Sequence, residues 1–174
     1  MTLIRCSLIL VVIAALSACG FQLRGSDVPL RKTFSSIQLI TDDKDEGLNN
    51  ALDLVLRSSQ IKRNADSANQ LQILSSKTTR RTASYSSRAK SAEYELIKSV
   101  EFRFRRDDQD IIAPMTLEAR RSYLYRETAA VGKAEEERLL RQEMDSDLAQ
   151  RILLAIEQAA IQYRASENAK DSAP

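Results

Sequence analysis

The stretch "AEYELIKSVEFRFRR", residues 92–106, alternates with a period of two. Tyr94, Leu96, Val100, Phe102 and Phe104 fall on one side, and Glu93, Glu95, Ser99, Glu101, Arg103 and Arg105 on the other. Successive side chains of a strand point to opposite faces, so the pattern reads as an antiparallel strand with one face in a core and one in water. Lys98 is the exception, a charge in the apolar phase. Downstream, "RDDQD" (106–110) is a polar turn, and "IIAPMTLEARRSYLYR" (111–126) alternates again with Ile111, Met115, Leu117, Tyr123 and Tyr125 in phase. Pro114 cannot donate to a ladder and predicts an edge or a bulge there. Upstream, "LQILSSKTTRRTASYS" (71–86) begins apolar and turns into Ser, Thr and Arg.

Further outward the period changes. "TFSSIQLIT" (33–41) reads as a first strand, and the acids of "DDKDEG" offer caps for a helix carrying Leu48, Leu52, Val55 and Leu56 on one stripe. Ser58–Asn69 is a polar break. Residues 133–164 form a long amphipathic helix with Leu140, Met144, Leu148, Ile152, Ile156 and Ala159 in line. Glu135–Glu137 fall in its first turn, where the helix dipole favours negative charge. Glu137 with Arg141 and Asp147 with Arg151 are i, i+4 pairs in the favourable order. The order β-α-β-β-β-α predicts an α+β fold, a four-stranded mixed sheet with two helices packed on one face. The domain spans 34–164, and the tail 165–174, without an apolar anchor, is expected to be disordered.

The chain opens on one positive charge, Arg5, followed by the uncharged run Cys6–Ala18, 13 residues long. A membrane-spanning helix needs about 17–25, so 1–18 reads as a signal peptide. "LSAC" (16–19) resembles the lipobox of bacterial lipoproteins, which implies cleavage before Cys19 and acylation of its thiol. Several acyl chains give stable membrane anchoring, leaving 19–33 as a lipidated tether. Cys6 leaves with the signal peptide, so no disulfide or cysteine-based metal site is available. Gly20, in place of Asp, implies sorting to the outer membrane by the same resemblance.

The chain of 174 residues has no histidine, the commonest general base and metal ligand. Glu135–Glu137 point about 100° apart on a helix and do not converge on one atom. Ser84, Ser86 and Ser87 near Lys77 and Lys90 lack the glycine-rich elbow of a nucleophile. No enzyme and no cofactor beyond the covalent lipid is expected. The 26 basic residues nearly balance the 24 acidic ones, so only local clustering is informative. Between Asp66 and Glu93 there is no acid, yet Lys77, Arg80, Arg81, Arg88 and Lys90 are basic. A projecting hairpin with these cations suits phosphates or carboxylates. For a lipidated envelope protein the expected polyanion is lipopolysaccharide, not nucleic acid.

The ordered set "CGFQLRG" (19–25), "AEYEL" (92–96), "RRSYLYR" (120–126), Lys133 and "EMDSDLAQRIL" (143–153) resembles the LptE family of lipopolysaccharide-assembly lipoproteins. The resemblance implies two helices on a four-stranded sheet, sitting as a plug inside the outer-membrane β-barrel LptD and helping it assemble and deliver lipopolysaccharide. It also implies lipopolysaccharide binding through basic residues. Lys133 matches one of these by position. The other falls at the hairpin tip, where this sequence has Ser87 with Arg88 beside it; Arg88 takes that place, with Arg80, Arg81, Lys77 and Lys90 behind it. The alternative from the residues alone is a stand-alone lipoprotein binding an anionic envelope ligand through the hairpin.

Overall fold

A computed structural model describes residues 34–41, 44–85, 91–126 and 130–171. The chain forms β1 (Ser36–Ile40), α1 (Glu46–Ser58), β2 (Lys62–Arg63), β3 (Asn69–Tyr85), β4 (Ser91–Arg106), β5 (Gln109–Arg126) and α2 (Ala130–Asp171). The strands form one sheet in the order β2-β1-β3-β4-β5. β1 runs parallel to β2 and β3, while β3, β4 and β5 form an antiparallel meander. The sheet therefore has five strands where four are expected. β2 hides in the polar break because two exposed residues are too few to show a period.

One core joins the helices to the sheet. Leu48, Leu52 and Leu56 of α1 and Met144, Leu148, Ile152 and Ile156 of α2 are buried with Ile37, Leu71, Leu96, Val100, Phe102 and Phe104. Ala160, rather than Ala159, completes the α2 stripe. α1 starts on Asp45, whose Oδ1 accepts from the Leu48 N–H at 3.1 Å, an N-cap satisfying a donor left over by helix geometry. It ends with the Ile61 N–H donating to Leu56 O and the Gln60 N–H to Arg57 O, with Gln60 left-handed at φ 58°, a Schellman stop.

β3, β4 and β5 are 17, 16 and 18 residues long, about 53 Å at about 3.3 Å per residue. β1 pairs with β3 only over Gln70–Gln72, so the meander continues as a three-stranded ribbon past it. The β4–β5 turn places Asp107 and Asp108 at φ 48° and 65°, the two positive values of a type I′ hairpin. Pro114 lies in the bulge between the pairs Phe102–Met115 and Phe104–Ile112, on an edge strand.

α2 is longer than its apolar spacing predicts. It begins at Ala130, so Glu135–Glu137 lie in its second turn, not its first. It also passes residue 164 and stays helical through Asp171, correcting the expectation of disorder there. No proline or glycine interrupts 165–171, and Ala, Glu and Lys favour helix. Residues 1–33, with the signal peptide, Cys19 and the tether, and residues 86–90, with Arg88 and Lys90, lie outside the described residues. Among the described residues no helix is long and apolar enough to cross a membrane.

Candidate functional site

The basic residues of β3 divide between the two faces of the sheet. Ile73 pairs with Phe102, but Ser75 pairs with Glu101 and Arg80 with Leu96, because a bulge intervenes between Ile73 and Ser75. The extra residue reverses the alternation. Arg80 thus joins the helix face, while Arg81 turns to the open face, where it pairs with Glu95. Lys77, opposite Ser99, stands exposed on the open face. The structure does not bring the three cations together into one patch.

Arg80 meets the start of α2. Its Nη1 lies 3.3 Å from Glu137 Oε2, and its guanidinium carbon sits 5.0 Å from the centre of the Tyr94 ring, within cation–π range. The Tyr123 hydroxyl donates to the same Glu137 oxygen. Arg141 reaches Glu137 Oε1 through Nε at 3.0 Å and Nη2 at 2.6 Å. Burial pushes the Glu137 carboxyl up, but donors from Tyr123, Arg141 and Arg80 outweigh it and hold the group below its ordinary value. Burial, reinforced by Glu137, raises Tyr123. The Tyr123 oxygen and then Glu137 raise Arg80. Tyr94 packs against Tyr123 and Tyr125 with centroids at 5.7 and 5.8 Å, an aromatic floor beneath this cluster. Lys133, one turn before Glu137, is half-buried and pairs with Glu136.

A second charged cluster is buried. Lys98, the exception in the β4 alternation, is only 4% exposed. Its ammonium donates to Asp145 of α2 and lies 2.7 Å from Asp45 Oδ2 at the start of α1. Ser76 Oγ on β3 donates to that Asp45 oxygen at 2.5 Å. Burial pushes Asp45 up, but Lys98, Ser76 and the Leu48 N–H bring it below its ordinary value. Burial keeps Asp145 above its ordinary value despite Lys98. A Cβ on Gly47 would overlap Asp145 Oδ2 and lie 3.3 Å from Cγ, so glycine lets the carboxylate approach the first turn of α1. One cation shared by two carboxylates ties both helices to the central strands.

Alternation marks Lys98 as anomalous but does not supply its partners, which come from 45 and 145. Glu137 is missed because acids early in a helix read as dipole complements. The signal that could find both is a stripe of α2 at i, i+4 spacing with alternating sign: Lys133, Glu137, Arg141, Asp145. Arg141 links the clusters, bonding Glu137 and drawing Asp145 downward in pKa against its burial.

On the opposite face of the sheet the charges pair locally. Arg81 and Arg120 share Glu95, Arg120 also meets Glu118 at 2.9 Å, and Arg103 donates to Gln72 at 2.9 Å. The class so defined is a two-layer α+β domain, with helices on one face of a long mixed sheet and a polar second face. The family model LptE, described as lipopolysaccharide-assembly, matches residues 32–156. The LPS-assembly lipoprotein LptE of Pectobacterium atrosepticum is 31% identical over 142 residues, 79% of this chain and 76% of that protein. The chain belongs to the LptE family, lipoproteins of lipopolysaccharide assembly in the Gram-negative envelope. The crystal structure of rare lipoprotein B from Shewanella oneidensis, 27% identical, superposes with a TM-score of 0.67 over 74% of this chain and 98% of that one. The solution structure of an uncharacterized lipoprotein B from Nitrosomonas europaea, 21% identical, shares the fold with a TM-score of 0.65 over 83% of this chain and 96% of that one.

Proposed function

We propose that the chain is a non-enzymatic component of lipopolysaccharide assembly that sits inside an LptD-type outer-membrane β-barrel. Acyl chains on Cys19 hold it to the outer membrane, with the domain facing the periplasm and the barrel lumen. Lys133 contacts lipopolysaccharide, together with cations of the basic segment, Lys77, Arg81, Arg88 and Lys90. Family membership over residues 32–156 supports the pathway. The observation that carries the plug reading is the open sheet face. Arg81, Arg120, Glu95 and Glu118 pair with one another there, and Arg103, Glu93 and Glu101 meet polar neighbours, so the face is polar with part of its charge neutralised locally. Such a surface suits the polar lumen of a large barrel.

The test is a pull-down of the C-terminally tagged chain from detergent-solubilised outer membrane, with bound proteins resolved by mass. A large β-barrel protein in about equal amount is expected. A chain recovered alone from that fraction overturns the plug reading.

A further inference from the structure

We propose that Glu137 is a positioning residue for lipopolysaccharide capture at Lys133, and that Arg80 serves Glu137 rather than touching the ligand. The proposal rests on the reading of Lys133 given above.

Lys133 and Glu137 are i, i+4 on α2, neighbours on one side of the helix. Glu137 fixes that side to the sheet at two points, Arg80 of β3 and Tyr123 of β5, and is itself held by Arg141 one turn further along α2. Its side chain is 18% exposed and its carboxylate receives donors on both oxygens, Arg80 and Tyr123 on Oε2, Arg141 on Oε1. The Arg80 guanidinium is further held over the Tyr94 ring at 5.0 Å. An incoming phosphate at Arg80 would have to displace a carboxylate already in place and would then lie against it.

Lys133 is differently placed. Its partner Glu136 is an i, i+3 neighbour with a side chain 42% exposed, while the Lys133 side chain itself is 21% exposed, so an incoming anion has one solvent-facing carboxylate to displace from a half-buried ammonium. Arg80 is the more exposed of the two cations, at 53%, but its carboxylate partner is the more enclosed, at 18% against 42% for Glu136, and that partner is the one an anion would have to displace. Arg80 is held so that the first turns of α2 remain in place, and Lys133 with them.

The experiment titrates the full-length lipidated chain in detergent with purified lipopolysaccharide, for the wild type and for Lys133→Ala, Glu137→Ala, Glu137→Gln and the double variant K133A/E137A. Glu137→Ala removes a negative charge beside an anion site. Electrostatics alone would tighten binding; loss of positioning weakens it, by about fivefold or more for residues coupled through one network. Glu137→Gln keeps an acceptor for Tyr123 and Arg141 and is expected to recover most of the affinity. In the Lys133→Ala background, Glu137→Ala is expected to add nothing. Tighter or unchanged binding by both Glu137 variants overturns the proposal and returns Arg80 to the ligand. Additive losses in the double variant overturn it as well, by reducing Glu137 to general stability. If Lys133→Ala binds as the wild type does, the underlying reading of Lys133 fails, and the proposal with it.

Discussion

The helix face of the sheet carries two charged clusters, and they differ in what surrounds them. Around Lys98, both helices and the central strands close over the ammonium, with Asp45, Asp145 and Ser76 as partners. Around Glu137, only α2 and the distal ribbon meet, and the Arg80 side chain is 53% exposed. Leu96, one step along β4 between Lys98 and Tyr94, separates them. The same chemistry of cation and carboxylate thus serves two ends. In the interior an unpaired charge is costly, so the partners are obligatory; near the surface water can substitute, so the cluster orients elements at modest energetic weight.

Substitutions graded by burial test this contrast. Lys98→Ala should be the most damaging, leaving two carboxylates without their shared cation and costing about 3–5 kcal/mol in urea unfolding. An unchanged unfolding midpoint would show that water replaces the ammonium and that the interior cluster is no different from the distal one. Gly47→Ala comes next. Helix propensity alone favours alanine by up to about 1 kcal/mol, but the new Cβ would overlap Asp145 Oδ2, and overpacking costs about 1–3 kcal/mol. The expected net result is destabilisation, reverting to a small gain when Asp145→Ala makes room.

A third test is the dependence on pH. The raised Asp145 contributes stability that is fully present below the unfolded value of 3.8 and is lost as pH rises through its folded pKa. The depressed Asp45 contributes stability present above 3.8 and lost as pH falls through its lower folded pKa. The cluster's share of stability should therefore rise as pH falls toward 3.8 and decline below it. Asp145→Asn should remove the rising limb in unfolding measured across this range, whereas a purely falling profile for the wild type would exclude it. The smallest effect is expected on the open face. Arg81→Ala, with 59% of the arginine side chain exposed, should cost about 0.2–1 kcal/mol in the same assay and less at high salt.

How far these features were legible follows from their range along the chain. The alternation over 92–106 and the spacing of Leu48, Leu52 and Leu56 report local geometry, and the strand and the helix stand where those patterns place them, with Asp45 the cap among the acids of "DDKDEG". Pro114 pointed to an edge or a bulge because the missing N–H belongs to one residue, and the structure has both there. β2 escaped notice because two residues carry no period, and the end of α2 because helix continues past the last apolar contact when nothing breaks it. The basic segment misled for another reason: counting by twos from Leu71 and Ile73 puts Arg81 on the core face, and the bulge between Ile73 and Ser75 puts Arg80 there instead.

Pattern along the chain was enough for both helices and the four longer strands in order, the apolar faces of β4 and of the helices, and a resemblance to the LptE family that the matched span of 32–156 bears out. Each depends on residues within a few positions of one another or on their order along the chain. Tertiary structure alone decided that Lys98 would find Asp45 and Asp145, that Gly47 would make room for the second, and that Glu137 would gather Arg80, Tyr123 and Arg141. Those choices depend on strand register and on how α2 lies across the sheet, and neither is set by residues adjacent in the chain.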